Sequence, residues 1–339
     1  MDVLIIGGSV FLGWFFAREA IDRGHSLTLF NRGRSGPGTR GAKNLRGDRE
    51  DPLDLDALAA EGPWDAVIDT SGFQPRTVGQ SARALSGRAG TYLFVSSVHA
   101  YADWPAGPVD EQSARHPCPP DAAVDEVSGN VLKAGCERAV EKYFEGDTCV
   151  LNPGLITGPR ETPGRLLWWL ERMARGGEVV APGRAGQPVQ LIDARDVAAF
   201  GLDLLERGVA GRHVVTGPND TTTFGELLDL CARVTGAGAQ PVWVAEDFLV
   251  DQGVEPWTEM PFWALEKPAT AGAWAASPAK AVAAGLRCRP PARTVADTWE
   301  WLRERGPSQT PYRQGDAVLG IDPVKERGVL HAWRAEAGD

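Results

Sequence analysis

A glycine-containing turn near the start of the chain constrains the fold more than any other feature of the sequence. Val3 to Ile6 form a short apolar run, typical of a parallel strand covered on both faces. Gly7 and Gly8 then allow a sharp turn that approaches a phosphate, and Gly13 allows the next helix to pack close to the strand. A helix N-terminus attracts anions. With a second apolar run at Ser26 to Phe30, the order predicts a β–α–β unit that binds a dinucleotide.

The glycine spacing alone is weak support for this interpretation. Val10 stands where a three-glycine pattern of this kind would have its middle glycine, so an ordinary tight turn is the alternative. The position of the turn, after a strand and before a helix and a second strand, favours the dinucleotide site.

Strand and helix patterns alternate through the first half of the chain, as in an α/β protein. The predicted strands span residues 3–6, 26–30, 44–48, 66–69, 91–96 and 149–151, and the predicted helices span residues 53–60, 78–85 and 126–144. Such alternation predicts a Rossmann-type, doubly wound parallel sheet. Its ligands are expected at the carboxyl ends of the strands.

The second half predicts a smaller C-terminal substrate domain. We assign residues 1–155 and 190–217 to the dinucleotide-binding domain, residues 156–189 and 218–306 to the substrate domain, and residues 307–339 to a tail with a docked helix near 323–333. The proline-rich, acidic segment 103–125 is interpreted as an excursion or lid. Aromatic residues around 257–263 are expected mainly in the core, with a minority lining a substrate pocket.

Composition excludes several classes of function. The formal net charge is −10, so nucleic acid is not an expected partner. No apolar stretch is long enough to span a membrane, and no secretion signal precedes the first strand. The five cysteines are scattered and the histidines lack ligand spacing, so neither a disulfide framework nor a metal site is expected. Reduced thiols and the lack of a secretion signal favour a cytoplasmic protein.

Four segments together resemble a known family. They are Gly7–Gly13, Phe94–Tyr101, Asn152–Pro159 and Gln190–Ala198. In this order and spacing the chain resembles the extended or atypical short-chain dehydrogenase/reductases, the NAD-dependent epimerase/dehydratase group, over roughly residues 1–300. The run Phe30–Gly33 is similar to the branch that contains the chloroplast stem-loop-binding proteins.

The resemblance implies roles for individual residues. The first turn would surround the pyrophosphate, the end of the second strand would meet the adenosine ribose, and Asp48 would contact adenine. In many relatives the helices at 78–85 and 126–144 form a dimer interface, so a homodimer is compatible with the resemblance and the sequence leaves the oligomeric state open. The implied cofactor-binding residues are Gly7, Gly8, Ser9, Val10, Phe11, Leu12, Gly13, Asn31, Arg32, Arg34, Asp48, Thr70, Ser71, Gly72, Ser96, Lys133, Pro153, Gly154 and Leu155.

The residues after the second strand bear on the choice of cofactor. An acidic residue there would bind a ribose 2′-hydroxyl and repel a 2′-phosphate. This chain has Asn31 followed by Arg32, and guanidinium groups favour phosphate. We therefore favour NADP slightly over NAD; the alternative is that Arg32 is simply solvated.

The catalytic positions depart from the family pattern. Ser97 matches the serine that hydrogen-bonds the reacting oxygen, and Lys133 matches the lysine that holds the nicotinamide ribose. A tyrosine normally stands four residues before that lysine, on the same helix face, where the ammonium lowers its pKa. Gly129 occupies that position here.

Three functions are compatible with this departure. In the first, carbonyl/alcohol redox chemistry is retained and Ser128, Ser97 or a water held by Lys133 transfers the proton. In the second, the scaffold catalyses an elimination, isomerisation or cyclisation with His99, Asp125 or Glu126 as acid/base groups. In the third, catalysis is lost and the chain binds a dinucleotide as a regulator. The candidate catalytic residues are Ser97, Lys133, Ser128 and His99.

A weaker signal concerns the substrate. Asn152 stands where many members of the resembled family have arginine, which would suit a nucleotide-diphosphate sugar. A small, neutral or cationic and partly apolar metabolite is the expected substrate, in a specialised biosynthetic pathway.

Overall fold

A computed structural model describes residues 1–35, 38–123, 131–219, 222–306, 308 and 310–337. The strands are β1 (Asp2–Ile6), β2 (Ser26–Asn31), β3 (Lys43–Arg46), β4 (Trp64–Asp69), β5 (Ala89–Val95), β6 (Asp147–Pro153), β7 (Leu155–Thr157), β8 (Glu178–Pro182), β9 (Leu191–Asp193), β10 (Gly211–Val215), β11 (Gln240–Val244), β12 (Arg313–Gln314) and β13 (Ala317–Val318). The α-helices are α1 (Phe11–Asp22), α2 (Pro52–Ala60), α3 (Pro75–Leu85), α4 (Leu132–Tyr143), α5 (Arg165–Ala174), α6 (Ala194–Glu206), α7 (Phe224–Thr235), α8 (Glu246–Asp251), α9 (Ala279–Ala283), α10 (Pro291–Arg305) and α11 (Pro323–Ala337).

The central sheet has seven parallel strands in the order β10-β6-β5-β4-β1-β2-β3. The order reverses between β1 and β4, which creates a crevice at their carboxyl ends, where doubly wound folds bind ligands. Ile6 pairs with Asp69 across these strands, so the segments that follow β1 and β4 leave the sheet at the same level. The predicted α/β, Rossmann-type fold is confirmed.

Helices cover both faces of the sheet, as the continuous apolar runs of its strands require. On one face α1 and α6 pack over a core that includes Phe16, Leu29 and Phe200. On the other face α2, α3 and α4 pack over Phe94 and Tyr92. This packing fixes α1 and α4, the helices that begin at the carboxyl edge of the sheet.

The second half builds a separate core. It includes the fully buried Trp169, Phe224 and Trp263, which pack around the parallel pair of β8 and β11. The tail helix α11 joins this core through Glu326, whose two carboxylate oxygens share the Nε–H of Arg172, at 2.9 and 2.8 Å. The chain tail is thereby attached to α5.

Several elements differ from the predictions. The sequence between β11 and Trp274 has no regular apolar period and predicts an irregular stretch, but it contains helix α8. The short strands β7 and β9 and the hairpin of β12 and β13 were not predicted, since runs of two or three residues carry no periodicity. The predicted start of the fourth helix, at Glu126, lies outside the described residues, and α4 is described from Leu132.

The described part of the acidic excursion, residues 103–123, is packed rather than open. Arg115 forms ion pairs with Glu137 and Glu141 of α4, at 3.1 and 2.9 Å. Arg138 donates to the carbonyl oxygen of His116 at 2.6 Å. Val109, in the middle of the excursion, is buried. These contacts attach the excursion to α4, beside the carboxyl edge of the sheet.

Candidate functional site

The glycine turn after β1 excludes side chains at three positions. Gly7 and Gly8 have left-handed φ angles of 109° and 83°, and a Cβ at Gly7 would lie 2.7 Å from Thr70 Oγ1. A Cβ at Gly13 would lie 2.8 Å from the backbone nitrogen of Gly8. Glycine at these positions therefore lets α1 begin directly against the turn.

The first turn of α1 is not capped by a side chain within the described parts of the chain. The N-cap residue, Val10, is extended and cannot accept a hydrogen bond with its side chain. Phe11 follows with a left-handed φ of 39°, an unfavourable conformation for a bulky residue. Ser9 is partly exposed beside them, whereas the Leu12 side chain is buried in the core. The uncapped amides of this turn are suited to an anion.

The carboxyl end of β2 lies next to this turn. Asn31 donates from Nδ2 to the Gly7 carbonyl oxygen at 3.3 Å and accepts from the Gly33 amide at 2.9 Å. Arg32 lies 3.9 Å from the Asp48 carboxylate, and both side chains are largely exposed. Asn31 thus holds the backbone of this turn and loop through hydrogen bonds. Its side-chain amide already has partners within the protein.

Two further arginines lie beside the same loop. Arg34 is exposed, and Arg46 approaches Gly33 closely enough that a Cβ there would lie 3.1 Å from its Nε. Arg46, at the end of β3, is a cation that the sequence reasoning missed. Its position near the end of a predicted strand, at the same edge of the sheet as the other site residues, could have identified it.

The end of β4 contains a buried ion pair. Asp69 is fully buried, and Arg49 donates to both of its carboxylate oxygens at 2.8 and 2.7 Å. Tyr92 donates to the same carboxylate at 2.9 Å, and Arg49 also reaches the hydroxyls of Ser71 and Ser81. Burial opposes ionisation, but the Arg49 guanidinium outweighs it and holds the pKa of Asp69 below its ordinary value.

This ion pair supports the loop that follows β4. Thr70 and Ser71 both donate from their hydroxyls to the Ile6 carbonyl oxygen, at 3.3 and 3.2 Å. The loop is thereby tied to the end of β1, at the switch point of the sheet. Arg49, which had no role in the sequence reasoning, is the residue that neutralises Asp69.

Lys133, in the first turn of α4, connects the ends of β4 and β5. Its Nζ donates to the carbonyl oxygens of Gly72 at 2.8 Å and Val95 at 3.0 Å. The rings of Phe73 and Phe94 lie 4.7 and 5.1 Å from the same atom. Burial lowers the pKa of Lys133 from its ordinary value. The ammonium is thus held at the carboxyl edge of the sheet, where the family resemblance implies a ribose.

Glu137, one helical turn after Lys133, forms a second buried cluster. Its carboxylate accepts from Ser96 Oγ at 2.5 Å, Asn152 Nδ2 at 2.6 Å and Arg115 at 3.1 Å. Burial raises the pKa of Glu137, although these partners oppose the increase. The sequence reasoning missed Glu137, but its spacing of four residues from Lys133 on one helix was a usable signal.

This cluster continues to the backbone beside Ser97. Asn152 donates to the Ser97 carbonyl oxygen at 3.2 Å and accepts from the Tyr101 hydroxyl at 3.3 Å. The Ser97 hydroxyl accepts from the backbone amide of His99 at 3.3 Å. Asn152 is therefore a buried structural partner of Ser97.

His99 lies in a short 3₁₀ turn, Val98–Ala100, after β5. Its ring packs edge-to-face on Trp104, with centroids 4.2 Å apart. Burial lowers the pKa of His99 to about 4, with a further contribution from Arg165. This pKa favours the neutral imidazole at physiological pH and disfavours His99 as a general acid.

Each of the four tyrosines lies in the described ranges and is engaged in other contacts. Tyr92 bonds to Asp69, and burial raises its pKa well above the ordinary value. Tyr101 is fully buried on Asn152, and Tyr312 donates to Glu171 at 2.7 Å. Tyr143 stacks under the guanidinium of Arg83 at the other end of α4.

The structure brings most of the implied site residues to one edge of the sheet. The strand ends there carry Gly7, Asn31, Thr70, Ser97 and Pro153, and Gly154 donates to the Val215 carbonyl oxygen before Leu155 begins β7. Ser128, Gly129, Asp125 and Glu126 lie outside the described residues. The functional roles of all these residues stay predictions.

Two kinds of feature are absent from the described residues. In these ranges, no group of three or more histidine, cysteine, aspartate or glutamate side chains is arranged to hold a metal ion. Over the same ranges, no helix has the length and apolar character needed to cross a membrane.

Comparison with protein families identifies one match. Residues 3–217 match the NAD dependent epimerase/dehydratase family. Among curated proteins, the chain is 28% identical over 250 residues to chloroplast stem-loop binding protein of 41 kDa b from Arabidopsis thaliana. That alignment covers 69% of this chain and spans 63% of the length of the plant protein.

Solved structures confirm the architecture. UDP-glucose 4-epimerase from Thermotoga maritima, solved with UDP-glucose, has a TM-score of 0.64 at 18% identity, covering 90% of this chain and 99% of that chain. An enzyme from Bordetella bronchiseptica in complex with NAD⁺ has a TM-score of 0.67 at 16% identity, covering 89% and 98% of the respective chains. At 16–18% identity, this structural similarity is evidence for a shared fold alone.

Proposed function

Because this chain belongs to the NAD dependent epimerase/dehydratase family, we propose that it is a dinucleotide-dependent oxidoreductase acting on a carbonyl or alcohol of a small organic metabolite. The observation that carries the proposal is the position of Lys133. Its Nζ joins the ends of β4 and β5, next to the strand end that carries Ser97. A pure binding protein has no need of this serine beside the lysine.

The residues present fit a dinucleotide. The turn at Gly7 and Gly8 and the close approach at Gly13 leave an uncapped helix N-terminus at the switch point of the sheet. This arrangement suits the diphosphate of a dinucleotide. When bound, the nicotinamide supplies or accepts a hydride.

The chain's own residues would position the substrate and move a proton. Ser97 would donate a hydrogen bond to the reacting oxygen, and Lys133 would hold the ribose and a proton-carrying water. An aliphatic hydroxyl is a weaker acid than a phenol, so Ser97 or Ser128 alone would transfer the proton slowly. The lowered pKa of Lys133 favours this lysine as the group that assists the serine in transferring the proton.

For the cofactor we propose NADP in preference to NAD. Arg32, Arg34 and Arg46 surround the loop after β2, and Asn31 replaces the acidic residue that would repel a 2′-phosphate. Guanidinium groups bind phosphate through paired hydrogen bonds. Asp48 beside Arg32 weakens this preference, so a modest difference in affinity is expected.

A second candidate is a non-redox isomerase or lyase on the same scaffold. The four tyrosine side chains are engaged in other contacts, which favours chemistry that does not need a phenol. Asp125 or Glu126 would then supply the acid/base group, since the neutral His99 serves only as a base.

A regulatory protein is the third candidate. The plant relative is named for stem-loop binding, but the charge of −10 on this chain disfavours a phosphate backbone. We keep the prediction that nucleic acid is not a partner. Tight dinucleotide binding without turnover would support the regulatory candidate.

We expect the purified protein to release NADP on denaturation, identified by its mass and ultraviolet absorbance. Incubation of the native protein with a panel of aldehydes, ketones and alcohols should change the absorbance of the bound nucleotide near 340 nm for at least one compound. A nucleotide that never changes redox state while a substrate is consumed would favour the isomerase or lyase. Absence of affinity for both NAD and NADP would contradict the proposal.

Replacing Lys133 by methionine should lower the turnover of that substrate by about 10²- to 10⁴-fold, the usual contribution of a positioned acid/base group. The matched control is Lys142→Met, on the exposed end of the same helix, which should leave turnover unchanged. Steady-state rates of both variants check the prediction. Equal rates for Lys133→Met and the native protein would remove Lys133 from the mechanism.

A further inference from the structure

A cavity of about 710 Å³ opens beside the glycine turn. One wall consists of Ser9, Val10 and Phe11, where α1 begins, and another contains Arg160 in the loop after β7. The outer wall is formed by the end of α10 and by a segment that we name the C-terminal strap, described at residue 308 and residues 310–321. The cavity therefore joins the predicted cofactor site to the tail of the chain.

Arg160 is a half-buried cation for which we find no acidic partner among the described residues. Its backbone has a left-handed φ of 66°, and its guanidinium carbon lies 4.4 Å from the ring centre of Trp14, in α1. Its Nε is buried and has no hydrogen-bond partner in these ranges. Burial lowers the pKa of Arg160. The half-buried guanidinium has no acidic partner in these ranges, so the site is suited to a bound anion.

The neighbouring carboxylate does not neutralise Arg160. Glu161 accepts instead from the backbone amides of Arg165 and Leu166, at 2.9 and 3.3 Å, where α5 begins. Burial raises the pKa of Glu161 to about 7, so the carboxyl group is partly protonated at neutral pH. The cavity wall at Arg160 is therefore cationic.

The strap is attached to the second core and adds further cations. Tyr312 donates from its hydroxyl to Glu171 of α5, and the backbone amide of Ser308 donates to the same carboxylate at 3.1 Å. Arg305, at the end of α10, lies 5.3 Å from the ring centre of Trp301 and is exposed at the cavity. Arg313 lines the same wall. Two guanidinium groups thus line the same cavity as the glycine turn.

We propose that Arg160, assisted by Arg305 at the end of α10, binds the diphosphate of the dinucleotide. The inference rests on the proposed function, in that it assumes a dinucleotide at the glycine turn. The α1 amides face the diphosphate from one wall and Arg160 from another. Stacking on Trp14 leaves the edge N–H groups of the guanidinium available for phosphate oxygens. Retention of the cofactor then depends on residues from the far end of the sequence.

The test measures binding by calorimetry on the full-length protein with NAD⁺, NADP⁺, ADP-ribose and UDP-glucose. Arg160→Gln should raise the dissociation constants of the first three by about 10- to 100-fold, as expected for lost hydrogen bonds to a charged group. Arg160→Lys keeps the charge without the forked donors and should give an intermediate loss. The matched control is Arg303→Gln, an exposed arginine near the end of α10, which should change none of them.

The outcomes separate this inference from the proposed function. If the native protein binds the dinucleotides and Arg160→Gln leaves their dissociation constants within twofold, the role of Arg160 is overturned and the proposed function stands. If the native protein binds neither dinucleotide, the proposed function fails. Binding of UDP-glucose alone, weakened by Arg160→Gln, would assign the diphosphate to a substrate and overturn the assignment to the cofactor. Thermal unfolding of each variant shows whether the fold is retained.

Discussion

Replacing Gly13 by valine should raise the dissociation constant for the dinucleotide by about 100-fold, near the upper end of the usual cost of overpacking. A Cβ at this position would lie 2.8 Å from both the Gly8 nitrogen and Thr70 Oγ1. The Gly8 nitrogen belongs to the turn that would hold the diphosphate, and Thr70 belongs to the loop after β4. The strain would therefore move the α1 N-terminus away from the turn.

The measurement is a calorimetric or fluorescence titration with NADP⁺ and NAD⁺. Gly328→Val is the matched control, because Gly328 lies in α11 and a Cβ there meets no atom within 4 Å. Where Gly13→Val lowers the yield of folded protein, Gly13→Ala provides a milder version of the same test. Native affinity in both Gly13 variants would show that the dinucleotide does not bind at this turn.

Replacing Arg49 by methionine should lower the free energy of unfolding by about 3–5 kcal/mol, the cost of leaving one partner of a buried ion pair alone. Asp69 is fully buried and receives two of its hydrogen bonds from Arg49. Methionine fills much of the same space but cannot neutralise the carboxylate. The hydroxyls of Ser71 and Ser81 would lose a donor in the same variant.

Urea unfolding monitored by circular dichroism measures this loss. Arg88→Met is the matched control, since Arg88 is exposed, has no ion pair among the described residues, and should change the free energy of unfolding by less than about 0.5 kcal/mol. A similarly small change for Arg49→Met would show that the buried pair does not stabilise the fold.

The pH dependence of this variant has a defined sign. In the native protein Arg49 lowers the pKa of Asp69, so the pair stabilises fully above the unfolded-state pKa of about 3.9 and loses its effect as the pH falls through the lower folded-state pKa. In Arg49→Met, burial without the cation raises the pKa of Asp69 instead. The destabilisation should therefore be largest at neutral pH and should decrease as the pH falls and Asp69 becomes protonated.

Local sequence patterns were sufficient for the first domain. The apolar run at Val3–Ile6 and the glycines after it predicted β1, the turn and α1, because strand periodicity and glycine stereochemistry act within a few residues. Predicted strands around 66–69 and 91–96 correspond to β4 and β5 to within two residues at each end. The family followed from the order of such local motifs and is confirmed by the match over residues 3–217.

Contacts between segments far apart in the sequence could not be predicted from local patterns. Arg49 meets Asp69, Glu137 meets Asn152, and Arg160 stacks on Trp14, although each pair is separated by at least 15 residues. No periodicity couples such positions, so only the packed fold shows that Asn152 is a buried partner of Glu137. The missing tyrosine illustrates the same limit, since only the tertiary structure shows that the four tyrosines are placed in other contacts.

The sequence by itself determined the β–α–β start, the doubly wound sheet and the family, because these depend on side-chain periodicity and on backbone freedom at glycine. Tertiary structure decided which charges are neutralised and which hydroxyls form hydrogen bonds. It also decided that the tail lines the same cavity as the glycine turn. Those properties depend on burial and on distances of a few ångströms between segments far apart in the chain, and the energy of a charge or a hydrogen bond changes with both.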